Sequence, residues 1–238
     1  MIRDGRRVMV YSAHAADFCS RAGGTIIRLA EAGAEVLIYN MTYGELCESP
    51  ALWARESPPS VTKIKEIRKA EMEAAANELG VEIRCFDFGD CPLVVGPDRR
   101  IDIVKEIRAF RPDLVLTHWI NDFLHPDHVE TTQAVVWASR YCDAAGLLPE
   151  IPACDEPDIF CYEVTLGSGP VTGFVPDTYV DISAAFDRKI KALTHFKSQP
   201  QLPTNYDVLA RYRGLEAKTT ANMDDCVQAE GFCRLTGC

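Results

Sequence analysis

The amino-acid sequence lacks any apolar run that approaches the length of about 20 residues required by a membrane-spanning helix. Near its beginning, the apolar stretch Val8-Met9-Val10-Tyr11 is followed by His14 and Asp17, so it stops well short of the apolar region of a secretory signal peptide. We therefore expect a protein without a membrane segment that is located in the cytoplasm.

Positive charge is also scarce. The chain has 25 Lys and Arg residues against 35 Asp and Glu residues, which gives a formal net charge of −10. This balance argues against non-specific binding of nucleic acid, because such binding needs a basic face that displaces counterions from phosphates. A small anionic substrate remains compatible with it, since a few arginines in a cleft act locally.

Paired cysteine motifs are missing as well. The ten cysteines include no Cys-x-x-Cys pair, and 238 residues supply enough apolar material for a core that needs no disulfides. We expect reduced thiols, some of them buried as small apolar side chains.

Short β-rich segments alternate along the chain with longer segments of helical periodicity. The predicted strands span residues 7–12, 35–40, 81–86, 113–117, 159–165 and 178–182, and the predicted helices span residues 22–32, 62–79, 101–110, 127–142 and 183–196. This alternation predicts an α/β, Rossmann-like fold with a mostly parallel sheet flanked by helices. Because no repeat or composition break divides the chain, we expect residues 1–238 to form a single domain with a decorated C-terminal third.

Four of the five histidines follow two of the predicted strands. His14 follows the first strand, and His118, His125 and His128 follow the fourth. Ligands of parallel sheets bind outside the carboxyl ends of the strands, so we expect these loops to converge. Imidazole and carboxylate ligands suit zinc, and three protein ligands with an open position are typical of a catalytic zinc site. The same donors could also hold iron or manganese.

These motifs resemble those of the PIG-L (LmbE-like) superfamily. The segment His14-Ala15-Ala16-Asp17 is similar to its His-Pro-Asp-Asp signature, and the resemblance extends from about Val8 to His128. The further family motifs are Gly23-Gly24, Tyr43-Gly44-Glu45, the Arg68/Glu71 pair and His125-Pro126-Asp127-His128. The resemblance implies an LmbE-like fold, a zinc-dependent enzyme that assembles as a homo-oligomer, and a metal held by His14, Asp17 and His128.

Ala16 departs from the pattern of the family's deacetylases. The resemblance implies that they carry at this position an aspartate that acts as the general base, and a methyl group cannot accept a proton. A general base contributes a factor of roughly 10²–10⁴ to the rate. The loss indicates a relocated base, a different reaction or an inactive protein.

A different reaction is implied by a second resemblance, to the 4-oxalomesaconate hydratases within the same family. It rests on the segments Ser12–Phe18, Arg21–Gly24, Glu48-Ser49, Leu52-Trp53, Ala74–Ala76 and Phe86–Pro92. It implies a zinc-dependent hydratase that adds water to the C=C bond of an oxo-polycarboxylic acid in the degradation of aromatic acids (gallate or protocatechuate), a reaction that Ala16 fits.

Two further functions stay open at this point. The intact motif His125-Pro126-Asp127-His128 has the deacetylase form, so a zinc-dependent deacetylase of an N-acetylated sugar or related small molecule is the alternative function. A metal-binding protein without turnover ranks third.

Candidate catalytic and binding residues follow from these chemical needs. Glu48 is the candidate base, with a solvated loop carboxylate as the equally weighted alternative, and His125 is the candidate acid or a hydrogen-bond donor to developing negative charge. We expect Asp127 to orient His128 or one of its neighbours, because ligand imidazoles usually donate their second N–H to such a partner. Arg21 and Arg55 are the candidates for binding an acidic substrate.

Overall fold

Seven strands form one sheet in the computed structural model, which describes residues 2 and 5–236. The strands are β1 (Arg7–Ser12), β2 (Glu35–Asn40), β3 (Glu82–Cys85), β4 (Leu114–Thr117), β5 (Asp158–Tyr162), β6 (Thr178–Asp181) and β7 (Ala229–Thr236). Their order in the sheet is β3-β2-β1-β4-β5-β7-β6. The first five of these run parallel, whereas β7 is antiparallel to both β5 and β6. The predicted mostly parallel α/β sheet is confirmed.

Within the described residues, eight helices connect or follow these strands. They are α1 (Asp17–Glu31), α2 (Pro50–Trp53), α3 (Val61–Leu79), α4 (Pro97–Phe110), α5 (Pro126–Tyr141), α6 (Gly169–Thr172), α7 (Phe186–Leu193) and α8 (Leu202–Ala221), with a 3₁₀ turn at Ser183–Ala185. None of the helices in the described part of the chain is long and apolar enough to cross a bilayer.

Helices cover both faces of the sheet, and an apolar core lies against each face. In β1, Val8 and Val10 join the core that contains residues of α1, α3, α7 and α8, while Met9 and Tyr11 join the core that contains residues of α4 and α5. All four side chains are fully buried. Burial on both faces explains why this strand reads as a continuous apolar run.

Cysteine contributes to these cores as a thiol. Within residues 2 and 5–236, nine cysteines are free, and six of them are buried. The tenth, Cys238, lies outside the described residues.

Helix α1 begins five residues earlier than the sequence predicts. Gly23 and Gly24 have low helix propensity, but packing keeps both of them within the helix. A Cβ on Gly24 would lie 2.7 Å from the Cβ and Cγ2 atoms of Ile182, so glycine permits a close approach between α1 and the segment that follows β6.

The same part of α1 is also held by a buried ion pair. Glu230 of β7 accepts hydrogen bonds from the backbone N–H groups of Gly24 (2.9 Å) and Thr25 (2.8 Å), and its carboxylate lies 2.7 Å from the Lys189 ammonium of α7. Strand β7, which the sequence analysis did not predict, thereby fixes the helix that carries Asp17.

The Gly23-Gly24 pair offers a matched test of this packing. We expect Gly24→Ala to destabilise the metal-free protein by about 1–3 kcal/mol, because Ile182 must move to admit the methyl group. Gly23→Ala is the control, since its Cβ would meet Lys189 Cγ at an ordinary 3.4 Å, and it should be neutral or stabilise by up to about 1 kcal/mol. Urea unfolding of both variants measures the difference, and equal stabilities would contradict this account.

Candidate functional site

The candidate site lies where the strand order of the sheet reverses direction. Strands β1 and β4 are neighbours, but β1 leads into α1 on one face of the sheet and β4 leads towards α5 on the other. A crevice forms outside the carboxyl ends of the strands at such a switch point. The loop that follows β1 carries His14, the loop that follows β4 precedes His128, and the two rings lie 5.4 Å apart.

Asp17 lies at the centre of the site. Its Oδ2 atom lies 3.3 Å from His14 Nδ1, 3.5 Å from His118 Nε2 and 3.6 Å from His128 Nε2, and its Oδ1 atom accepts a 2.5 Å hydrogen bond from Arg21. Burial on its own would raise the pKa of Asp17, but the Arg21 guanidinium and the hydrogen bond with His14 outweigh burial and hold that pKa well below its usual value.

Three of these residues could hold a metal ion. Ligand atoms of His14, Asp17 and His128 all lie within 4.8 Å of one another. Asp17 Oδ2 lies 3.3 Å from His14 Nδ1 and 3.6 Å from His128 Nε2. Both distances are close to the edge length of a coordination tetrahedron with bonds of about 2.0–2.2 Å. His14 Nδ1 and His128 Nε2 are buried without hydrogen-bond partners, as expected of atoms whose partner is a cation. The residues therefore fit the metal that the sequence predicts.

His128 is held in the orientation that a ligand needs. Its Nδ1 atom lies 2.8 Å from Asp122 Oδ2, which leaves Nε2 directed towards Asp17. Asp122 is held in turn by the backbone N–H of Thr165, at 2.9 Å. Burial lowers the pKa of His128 well below its usual value, so the ring is neutral and the Nε2 lone pair is available.

Asp127 contacts His14, whereas the carboxylate at His128 is Asp122. Asp127 Oδ2 lies 3.2 Å from His14 Nε2 and accepts from the backbone N–H of Cys91, while Oδ1 accepts from that of Leu93. Burial opposes the charge of Asp127, but the contact with His14 and the two backbone donors lower its pKa to about 2. The contact between Asp122 and His128 was not predicted from the sequence.

His118 has a different role from His14 and His128. Its Nε2 atom accepts a 2.9 Å hydrogen bond from the backbone N–H of Ala13, so that lone pair is already used. The ring stacks on His128 with centroids 3.9 Å apart. His118 therefore fixes the loop after β1 and supports the His128 ring.

The two candidate catalytic residues are paired. Glu48 Oε1 lies 2.7 Å from His125 Nε2, and Glu48 Oε2 accepts a hydrogen bond from the side-chain amide of Gln199. Burial would raise the pKa of Glu48, but the hydrogen bond with His125 and the charge of His14 outweigh it, and the pKa is lowered. An ionised carboxylate beside an imidazole can accept and pass on a proton.

Gly44 allows Glu48 to approach His14. Its φ angle is +70°, a value that L side chains rarely adopt, and a Cβ there would lie 2.8 Å from Glu48 Cβ and 3.2 Å from His14 Cβ. The turn that follows β2 therefore needs glycine both for its backbone angle and for space.

Gln199 belongs to a buried polar chain that the sequence analysis missed. Its Oε1 atom accepts from Arg68 Nη2 at 2.8 Å, so its amide group must donate towards Glu48. Arg68 also pairs with Glu71 at 2.9 Å, as their spacing on α3 predicts. No sequence signal links Gln199 to a carboxylate 151 residues away.

The two predicted arginines lie in different surroundings. Arg21 is buried, with its guanidinium bonded to Asp17 and to the Glu163 carbonyl oxygen at 3.1 Å, so its observed partners are protein groups that stabilise the site. Arg55 lies on the surface, in the bend that follows α2. Ala16 is buried directly before α1 and offers only a methyl group.

A cleft of 500 Å³ opens beside these residues, lined among others by Cys47, Cys91, Leu124, His125 and Asp127. Its wall therefore contains the imidazole that pairs with Glu48 and the carboxylate that contacts His14. A small molecule in this cleft can reach the Glu48–His125 pair.

The sequence and the structure of this chain are similar to those of known proteins. Residues 9–139 match the family model "PIG-L: GlcNAc-PI de-N-acetylase". The chain is 31% identical to 4-oxalmesaconate hydratase of Pseudomonas putida over 95% of this chain and 88% of that protein. The crystal structure of GalB, the 4-carboxy-2-hydroxymuconate hydratase from Pseudomonas putida KT2440, superimposes with a TM-score of 0.90 at 30% identity, covering 98% of this chain and 99% of the other.

A deacetylase is similar over a comparable length. The probable N-acetyl-alpha-D-glucosaminyl L-malate deacetylase 2 of Bacillus cereus is 27% identical over 90% of this chain and 92% of that protein. The family thus includes relatives of both kinds that the sequence resemblance implies. The match to the family model and the similarity to these full-length relatives confirm that resemblance: the chain belongs to the PIG-L family.

Proposed function

We propose that this protein is a zinc-dependent hydratase that adds water to the C=C bond of an oxo-polycarboxylic acid, in the degradation of aromatic acids such as gallate or protocatechuate. The observation that carries the proposal is the Glu48–His125 pair, 2.7 Å apart beside the His14/Asp17/His128 cluster, in a chain where Ala16 provides no base. The similarity to 4-oxalmesaconate hydratase over nearly the whole of both chains supports the same reaction.

In this proposal His14, Asp17 and His128 hold the zinc ion. When bound, zinc supplies Lewis acidity that polarises a carbonyl group conjugated to the C=C bond. Arg21 keeps Asp17 ionised, and Asp122 and Asp127 fix the two imidazoles. These contacts preorganise the three ligands, so little rearrangement is needed when the metal binds.

Proton transfer is assigned to Glu48 and His125. As the oxygen of water bonds to one alkene carbon, Glu48 takes the proton that the water loses. His125 gives a proton to the other alkene carbon, and the proton held by Glu48 then replaces it across the 2.7 Å contact. One C–O bond and one C–H bond form, the π bond breaks, and both side chains return to their starting protonation states.

The proposed substrate is a small anion. Arg21 and Arg68 are both buried and paired with carboxylates of the protein, so their charge is largely balanced within the fold. We therefore assign contact with a substrate carboxylate to the exposed Arg55, and we assign to Arg21 the positioning of Asp17. Cytoplasmic location and homo-oligomeric assembly stay predictions.

The alternative is a zinc-dependent deacetylase of an N-acetylated sugar or related small molecule. The intact motif from His125 to His128 and the similarity to the Bacillus cereus deacetylase favour it. In that reaction Glu48, or the metal alone, would have to replace the base that is missing at Ala16.

A paired assay separates these two functions. On one preparation with measured zinc content, we expect 4-oxalomesaconate to lose its conjugated absorbance rapidly, while a panel of N-acetyl sugars releases no acetate. Chelation and His128→Ala should both abolish the absorbance change, because each removes the metal. Acetate release with an inert oxo-acid would establish the deacetylase instead, and inactivity of zinc-loaded protein on both substrates would favour the metal-binding protein.

Glu48→Gln tests the assigned base. We expect kcat to fall by roughly 10²–10⁴, with zinc content unchanged, because an amide cannot accept the proton from water. Glu56→Gln is the matched control, since Glu56 is an exposed glutamate in the same connection, and its kcat should equal that of the wild type. Steady-state kinetics with metal analysis decides the point; wild-type turnover in the Glu48 variant would remove this residue from the mechanism.

Gln199→Leu tests the residue that orients the base. The variant loses a donor to an ionised carboxylate, so we expect kcat to fall roughly tenfold or more. Loss of that donor also raises the pKa of Glu48, so activity should decline at a higher pH than in the wild type as the solution is acidified. A pH profile of kcat/KM measures this shift. Gln201→Leu, at an exposed glutamine two residues away, should leave the profile in place; identical profiles for both variants would show that Gln199 does not position the base.

A further inference from the structure

The two nitrogens of the His14 ring face different sets of donor atoms. Nδ1 lies 3.3 Å from Asp17, on the side of the three proposed zinc ligands. Nε2 lies 3.2 Å from Asp127 Oδ2 and 3.6 Å from Cys47 Sγ, on the side of the cleft. One ring therefore separates a buried donor group from one that is open to solvent.

The second donor group has the dimensions of a metal site. Ligand atoms of His14, Cys47 and His125 all lie within 4.8 Å of one another. The 3.6 Å between His14 Nε2 and Cys47 Sγ is close to the edge of a tetrahedron with a metal–sulfur bond of about 2.3 Å and a metal–nitrogen bond of about 2.0–2.1 Å. Asp127 Oδ2, beside the same nitrogen, is a candidate fourth donor.

From this geometry we propose that His14, Cys47 and His125 form a second, inhibitory binding site for a thiophilic divalent cation such as Zn²⁺ or Cd²⁺. The thiolate makes this group softer than the His/Asp group behind the ring, so it selects these ions over Mg²⁺ and Ca²⁺. Cys47 is exposed and lines the cleft together with His125, so an ion in solution reaches the site directly.

Occupation of this site has a defined chemical consequence. The Cys47 thiol, which now points at Asp90 Oδ2 at 3.1 Å, loses its proton on binding, and His14 Nε2 exchanges its contact with Asp127 for the ion. His125 becomes a ligand, so it has no free lone pair for the proton that Glu48 passes on. That the bound ion inhibits turnover rests on the proposed function, whereas binding of the ion does not.

The two positions share one imidazole ring. Ions on both nitrogens require the ring to lose both protons, and two cations this close repel each other. The second ion therefore binds more weakly than the first, and inhibition sets in only beyond one equivalent of metal.

Cadmium provides a readout of binding that is independent of catalysis. Titration of Cd²⁺ into protein that holds one equivalent of zinc should give an ultraviolet cadmium–thiolate absorption that saturates at one equivalent, with the zinc retained. Cys47→Ser should abolish the absorption and weaken cadmium binding at least tenfold. Cys91→Ser is the matched control, an exposed cysteine that lines the same cleft but lies outside the donor group, and it should behave as the wild type.

Three results of this titration would overturn the proposed site. They are absorption that persists in Cys47→Ser, absorption that disappears in Cys91→Ser, and stoichiometric release of zinc as cadmium binds. His125→Gln adds a second arm, in which wild-type cadmium affinity would remove this histidine from the site.

Inhibition by zinc tests whether an ion in this site blocks turnover. Excess Zn²⁺ should inhibit turnover of 4-oxalomesaconate by the wild type, and Cys47→Ser should require at least tenfold more zinc for half-inhibition, each protein being compared with its own rate in the absence of excess zinc. Equal sensitivity of the two proteins would overturn inhibition through this site. If the protein does not turn over this substrate at all, the proposed function fails, while the cadmium titration still decides whether the site binds metal.

Discussion

A buried carboxylate surrounded by imidazoles is the constraint on which the rest of this structure depends. Removing the charge of Asp17 from water is costly unless cations or donors replace the solvent. The protein meets that requirement with Arg21 on one oxygen and with the backbone N–H of His14, at 2.8 Å, on the other. The rings of His14, His118 and His128 surround that second oxygen. The position of helix α1 follows from the same requirement, because Asp17 is its first residue and Arg21 lies one turn further along it.

The elements that hold α1 come from distant parts of the chain. Glu230 on β7 binds the backbone of α1 at Gly24 and Thr25, and Ile182 fills the space that Gly24 leaves. On the opposite side of the site, Thr165 follows β5 and holds Asp122, which holds His128. The C-terminal third of the chain therefore contributes no proposed metal ligand but fixes the positions of those that the first 128 residues supply.

The strands of the parallel sheet were predicted well, because burial on both faces of the sheet gives a strand a continuous apolar run. The predicted ranges 7–12 and 35–40 coincide with β1 and β2, and the order of strands and helices up to residue 142 agrees with the structure except for the short helix α2, which was not predicted. In contrast, β7 was not predicted: it carries Glu230 and Gly231 near its start. The Lys189 ion pair and the backbone N–H groups of Gly24 and Thr25 make a buried glutamate acceptable there. Helix α8 was also missed, since it carries polar and apolar residues around most of its surface.

The sequence predicted which residues lie in the site better than which residues they contact there. His14, Asp17 and His128 fall together because strand ends of a parallel sheet converge, and that rule needs no coordinates. The choice of Asp122 over Asp127 as the partner of His128 depends on the path of one loop, and both carboxylates lie near enough in sequence to serve. Gln199 depends on a contact across 151 positions, which no local pattern encodes.

The electrostatics of the site bear on which reaction it performs. Replacing an aspartate by Ala16 removes one negative charge from a pocket that already contains Asp17, Asp122 and Asp127. An anionic substrate is repelled less in such a pocket than in one with a fourth carboxylate, whereas a neutral N-acetyl sugar gains nothing from the change. The remaining proton acceptor, Glu48, lies on the cleft side of His14 and carries a hydrogen-bonded imidazole, so its charge is partly balanced where the substrate enters. The absence of a carboxylate at position 16 and the pairing of Glu48 with His125 thus act in the same direction, and both favour an acidic substrate.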